Sequence, residues 1–188
     1  MPAATAGRTR EAILAHAVDL ASAEGLEGLS IGRLAAAIGM SKSGLFGHFG
    51  SKEELQLATI REAGERFFEQ VVRPALSHEE GLPRLRALID RYIGYLERRV
   101  FPGGCFWGAV SIEFDDRPGP VRDAIQASVR AWLALLEHNA EVGQVSDPPQ
   151  LAFELYSLGQ GANSAYQLFG DRAAFERARG TMERLLSR

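Results

Sequence analysis

The chain has 188 residues, 46% of them apolar and 24% charged, with a net charge of −3 at pH 7 and one cysteine. That length buries a core for one domain, or for a small domain and a larger one. The single cysteine excludes an internal disulfide and a multi-cysteine metal site, and the mild acidity excludes a surface that is cationic all round.

The N-terminal MPAATAG lacks a basic start followed by an apolar run, and no stretch reaches the ~18 apolar residues that span a bilayer. The expectation is a short frayed leader on a cytoplasmic protein with no membrane partner. Charge is unevenly distributed: five Lys/Arg and four Asp/Glu up to Lys52 give that part a net +1, leaving −4 for the remainder. Both lysines, Lys42 and Lys52, lie there.

Apolar residues recur every three or four positions and nowhere alternate over a strand's length, so the fold class is all-α, with about nine helices. A first helix spans residues 8–24, with Ile13, Leu14, Ala17, Val18 and Ala21 inward and Gly25 as its left-handed stop. A second starts at the N-cap Ser30, carries Ile31, Leu34, Ala35 and Ile38, and stops at Gly39. A third spans about Ser41 to Phe49. Ser51-Lys-Glu-Glu54 reads as a capping box opening a fourth helix, expected to run to Arg73 before Pro74.

A fifth helix carries Leu85, Leu88, Ile89, Tyr92, Ile93 and Leu96, and Pro102-Gly-Gly104 separates it from a short apolar sixth ending at Phe114. After the turn Asp115–Pro120 comes a seventh, with Val121, Ile125, Trp132 and Leu136. Beyond a break at Asp147-Pro-Pro149, an eighth places Leu151, Leu155, Leu158, Ala162 and Phe169 on one side. A ninth covers about 171–186. There are no repeats, no low-complexity linker and no sign of a cofactor.

The first three helices have the lengths and order of a helix-turn-helix unit, which lays its last helix in the DNA major groove. Leu45 and Phe49 then face inward, and Ser41, Lys42, Ser43, Gly44, Phe46, Gly47 and His48 face outward. Serine hydroxyls, lysine and histidine suit phosphates and base edges, and glycine admits close backbone approach. Lys52 is a cation at a helix start, where the dipole favours acids. It fits a docked phosphate or, equally, plain solvation.

GMSKSGLFGHFGSKEEL, preceded by ILAHAVDLASAEG and LSIGRLAAAIG, resembles the N-terminal DNA-binding domain of the TetR family of transcriptional regulators, contiguously over residues 10–57. The resemblance implies that Lys42, Ser43 and Gly44 lie at the base-facing start of a recognition helix. It puts Phe46 and His48 near the DNA backbone and Lys52 on a phosphate. Phe46 departs from the family's usual tyrosine, and Gly47 stands where a larger side chain is common.

The same resemblance implies a DNA-binding domain over residues 1–50 and an effector-binding and dimerisation domain over 51–188. The function expected is a repressor that binds a palindromic double-stranded DNA operator as a homodimer through its last two helices and is released by a small-molecule effector. Phe67, Phe68, Tyr92, Tyr95, Phe106, Trp107, Phe114 and Trp132 are candidates to line the effector cavity, and their character favours an apolar or aromatic ligand. Each is also ordinary core material at helical spacing. The run Gly159-Gln-Gly-Ala-Asn-Ser-Ala165 suits close helix packing, within the chain or against a second copy.

A rival comes from Gly103-Gly-Cys-Phe-Trp-Gly108, where GCFWG is similar to the active-site motif of peptide methionine sulfoxide reductases of the A type, with Cys105 as nucleophile. That motif follows a β-strand, whereas residues 84–99 read as helix. Recycling there usually needs further cysteines, and the likeness covers about six residues. The expectation is therefore a protein that is not an enzyme.

Overall fold

A computed structural model describes the backbone of residues 2–187 and the side chains of residues 9–187. The side chain of Arg8, counted above among the N-terminal charges, lies outside them. The described residues are helical, with no strand among them. In chain order the helices are α1 (Pro2–Glu24), α2 (Ile31–Ala37), α3 (Lys42–Phe49) and α4, whose parts are Lys52–Phe67, a π turn Phe68–Val72 and Arg73–Ala75. There follow α5 (Leu82–Glu97), α6 (Phe106–Glu113), α7 (Pro120–Val142), α8 (Pro148–Phe169) and α9 (Ala173–Leu185).

Two compact units share these helices. One comprises residues 1–65 and 101–126, the other residues 66–100 and 127–188.

In the first unit the starts of α2, α3 and α4 are each fixed by a serine. Ser30 Oγ accepts the Arg33 N–H at 3.2 Å, Ser41 Oγ the Gly44 N–H at 3.1 Å, and Ser51 Oγ the Glu54 N–H at 3.0 Å. Caps of this kind contribute about 1 kcal/mol each. Glycines at positive φ close the turns, Gly25 at 86° and Gly39 at 68°. Leu26, Leu29, Leu34, Leu45 and Leu55 are fully buried, each stabilising by about 2 kcal/mol relative to exposure.

The 101–126 segment is docked on the end of α1. Gly103 donates its N–H to Ser22 Oγ at 3.1 Å, and a Cβ at 103 would lie 1.7 Å from the Ser22 carbonyl oxygen, so only glycine fits.

In the second unit, α5 buries Leu85, Leu88, Ile89, Tyr92, Ile93 and Leu96, as its periodicity predicts. Asn139, fully buried on α7, accepts the Gly81 N–H at 3.3 Å and so fixes the entry to α5. Along α9, Phe175, Ala178 and Met182 face inward. Arg172 and Arg179 reach from this end of the chain to Glu97 at 3.0 and 3.1 Å.

Several sequence expectations are corrected. The leader is helical from Pro2, because proline is favourable at a first helical position and Ala3, Ala4 and Ala6 are strong helix formers. The fourth helix continues past Pro74 to Ala75. The Arg73 N–H reaches five residues back, to the Phe68 carbonyl, and the widened π turn makes room for the proline ring. Pro148 and Pro149 are the first residues of α8 rather than part of the break before it, and the helix is capped by Asp147, whose Oδ1 accepts the Gln150 N–H at 3.1 Å. Phe169 is in register with Leu151 on one side of α8 but is 75% exposed, because the helix ends at Gly170 there.

Candidate nucleic-acid interface

The surface of α3 is built from its two buried residues outward. Leu45 and Phe49, four apart, anchor the helix, and the Arg10 guanidinium lies 5.1 Å from the Phe49 ring centre. Ser41, Lys42, Ser43, Gly44, Phe46 and Gly47 are exposed and His48 is half-buried. The helix, KSGLFGHF, contains no acid. An exposed face of hydroxyls, one ammonium and one imidazole without a carboxylate offers donors to phosphates and base edges without repelling them.

Ser41 does two things there, capping Gly44 and lying 3.4 Å from the Ser43 hydroxyl. Gly44 owes its residue type partly to that cap, because a Cβ at 44 would lie 3.0 Å from Ser41 Oγ. Gly47 differs: a Cβ there meets nothing within 4 Å, so nothing in the fold requires glycine. Phe46 is 51% exposed.

Lys52 opens α4, and its ammonium lies 2.7 Å from Glu27 Oε1. The hydrogen bond from Lys52 holds the Glu27 carboxyl below the usual carboxylate range, with Gln56 and Arg117 adding to the effect. Glu27 sits on the α1–α2 turn, which is itself clamped. The carboxylate of Glu113, at the end of α6, accepts the Leu26 N–H at 2.7 Å and the Glu27 N–H at 2.9 Å. Gln56 Nε2 donates to the Leu26 carbonyl at 2.9 Å. Sequence reasoning missed Glu27, Gln56 and Glu113, since their partners lie 25 to 87 positions away.

The eight aromatic candidates divide between the units. Phe67, Tyr92, Tyr95 and Trp132 meet in the second, where the Phe67 ring stands edge-on to Tyr95 at 5.3 Å and to Trp132 at 5.0 Å. Tyr92 and Trp132 are 5.4 Å apart, and Gln160 Nε2 donates to the Tyr92 hydroxyl at 2.9 Å. The Trp132 indole N–H is buried with no acceptor among the described residues. Phe68 is 41% exposed, with Arg73 over its ring. Phe106, Trp107 and Phe114 belong to the first unit, where Phe106 packs edge-on against Trp107 at 5.3 Å.

Cys105 is the residue before α6 and is 2% exposed. Residues 82–97 are helix, not the strand that the reductase motif follows. A buried sulfur is closed to a sulfoxide on another protein, and Cys105 packs as a small hydrophobe.

On α8 the small-residue run serves two faces. A Cβ at Gly159 would meet the Tyr92 ring at 2.2 Å, so this glycine admits α5. Gly161 faces open space on a groove of about 660 Å³, lined by Phe153, Ser157, Ala165, Ala178, Thr181 and Leu185 of α8 and α9 among others.

Comparison with known proteins matches residues 13–59 to the bacterial regulatory proteins of the tetR family and residues 81–182 to the tetracyclin repressor-like C-terminal domain. A TetR transcriptional regulator from Chloroflexus aurantiacus is 26% identical, with a TM-score of 0.85, and the likeness covers 98% of this chain and 96% of that one. AibR, solved in complex with isovaleryl coenzyme A and operator DNA, is 26% identical with a TM-score of 0.75, covering 94% and 97%. The nucleoid occlusion factor SlmA of Cronobacter sakazakii is 25% identical over 167 residues, 85% of this chain and 82% of that protein.

Proposed function

The chain belongs to the TetR family of bacterial regulatory proteins, DNA-binding transcription regulators rather than enzymes, and from that premise we propose that it is an effector-released repressor acting in the cytoplasm. Residues 1–50 read a near-palindromic operator, and residues 51–188 bind the effector and hold two copies together. The observation that carries this reading is the capped, acid-free outer face of α3. Lys42, Ser43 and Gly44 face the bases, Phe46 and His48 lie near the DNA backbone and Lys52 meets a phosphate, with Ser41 and Gly47 on the same outer face.

Two copies associate through α8 and α9. The groove around Gly161, beside a 61% exposed Phe153, supports that face. Pairing sets two recognition helices about 34 Å apart, one turn of DNA.

The effector is apolar or aromatic and enters among Phe67, Tyr92, Tyr95 and Trp132 of the second unit, with Phe68 as a further candidate contact. The buried Trp132 N–H favours a ligand bearing a hydrogen-bond acceptor, since satisfying it recovers about 1–3 kcal/mol. AibR, solved with both a coenzyme A ester and operator DNA, shows that a relative carries both kinds of ligand. Release requires the effector to prefer the conformer that does not bind DNA, because equal affinity for both shifts nothing.

A salt-dependent gel shift on the DNA flanking its own gene tests the reading. Lys42→Ala and Ser43→Ala change the preference among sequences, whereas Lys52→Ala weakens all alike. A protein that shifts no fragment, or whose binding none of these changes alters, is not reading DNA with this face.

A further inference from the structure

We propose that Glu27 acts as a built-in substitute for a DNA phosphate: its carboxylate occupies Lys52 in the free protein and is exchanged for a phosphate when DNA docks. This rests on the reading of Lys52 as a phosphate contact.

The geometry carries the inference in three steps. First, the pair is close, with Lys52 Nζ and Glu27 Oε1 2.7 Å apart, at the N-terminal end of a helix where a bare cation is disfavoured. The carboxylate offers the ammonium the negative charge that a phosphate would bring to it. Second, Glu27 is positioned from behind. Its backbone N–H is held by Glu113 Oε1 at 2.9 Å and the preceding carbonyl by Gln56 at 2.9 Å, so the turn keeps its place without the ion pair. Third, the pair is exchangeable. Its side chains are 41% and 48% exposed, and exposed pairs of this kind are weak. Arg117, 3.7 Å from the other carboxylate oxygen, remains as a cation for Glu27 after Lys52 leaves.

Two consequences follow. Docking of a random duplex then releases one counterion fewer than the number of cations suggests, because Lys52 is already neutralised. The carboxylate also discriminates against weak non-specific contact, since a phosphate must be well placed to displace it.

The experiment uses the full-length protein and a short labelled random-sequence duplex, with affinity followed by anisotropy over a salt series. Glu27→Gln steepens the slope of log affinity against log salt by about 0.9 and tightens binding about three- to fourfold at low salt. The same change made in a Lys52→Gln background leaves the slope where Lys52→Gln alone puts it. Glu27→Ala serves as second variant, because both changes spare the backbone contacts to Glu113.

An unchanged slope in Glu27→Gln overturns the proposal, as does an equal steepening with or without Lys52, which makes Glu27 a generic surface charge. If the folded wild-type protein binds no duplex at any salt, the DNA reading fails as well. Wild-type binding that Glu27→Gln leaves untouched removes only the present inference.

Discussion

Gly159 lies against the face of α5 so closely that a methyl group added to it would stand 2.2 Å from Cε1 of Tyr92. Tyr92 is 2% exposed and hydrogen-bonded through its hydroxyl to Gln160, so it has nowhere to retreat without breaking that bond. Gly159→Ala is expected to destabilise the fold by about 1–3 kcal/mol, as overpacking does. The midpoint of urea unfolding measures it. Gly161→Ala, two residues on and facing open space, gains up to about 1 kcal/mol of helix propensity in the single chain and instead weakens association of copies. Sedimentation at several protein concentrations separates the two effects.

Glu113 accepts two main-chain N–H groups of the α1–α2 turn. Glu113→Ala leaves them without that acceptor, with an expected loss of about 1–3 kcal/mol. Because the turn positions α2 and α3, operator affinity falls with stability. A variant that keeps wild-type thermal stability would show that solvent replaces the carboxylate without cost.

Ser41→Ala removes the cap of α3, with an expected loss of about 1 kcal/mol and, on the proposed reading, weaker DNA binding through fraying of α3. Ser43→Ala does not cap and changes DNA binding with little effect on melting temperature. Melting curves beside binding curves for the two variants check the distinction.

The pH dependence follows from Glu97 and Glu27. Burial pushes the Glu97 carboxyl up, but hydrogen bonds and charge from Arg179 and Arg172 more than reverse this, leaving it below its ordinary value. Lys52 chiefly lowers Glu27. A carboxyl whose folded pKa lies below its unfolded one stabilises the fold above the unfolded value. The contribution is lost as pH falls through the folded one, so melting temperature drops below about pH 5. Glu97→Gln flattens that part of the profile, and an identical acid limb in this variant would show the network to be inert.

Cys105, 2% exposed, is expected not to react with a thiol reagent in the native state and to react at the rate of unfolding in denaturant. Thiol-dependent reduction of methionine sulfoxide by the native protein, lost in Cys105→Ser, would reverse the assignment as a non-enzyme.

The helices, the serine caps at 30 and 51 and the glycine stops at 25 and 39 were legible in the sequence because each is a local rule, written within four residues of where it acts. The inward pair Leu45 and Phe49 followed from the helical period. The π turn was not legible, because Pro74 normally marks an end and only the widened turn before it accommodates the ring. Nor was the Lys52–Glu27 pair, which joins positions 25 apart. Helical spacing gathered eight aromatics as one set, but spacing says nothing of which unit a helix serves. The exposure of Phe169 was not legible for a related reason: apolar periodicity marks a face without saying how far along the helix it is covered.

The two tryptophans, Trp107 and Trp132, fall one in each compact unit, 6% and 7% exposed. Each is therefore a native fluorophore reporting on one half of the molecule. Trp107→Phe leaves emission that follows the unit with the effector candidates Phe67 and Tyr92, and Trp132→Phe leaves emission that follows the unit with α3. With the pair of variants, quenching by a candidate effector and a spectral change on adding DNA are assigned to their own halves without any external label. The timing of the one signal after the other is then open to stopped-flow measurement.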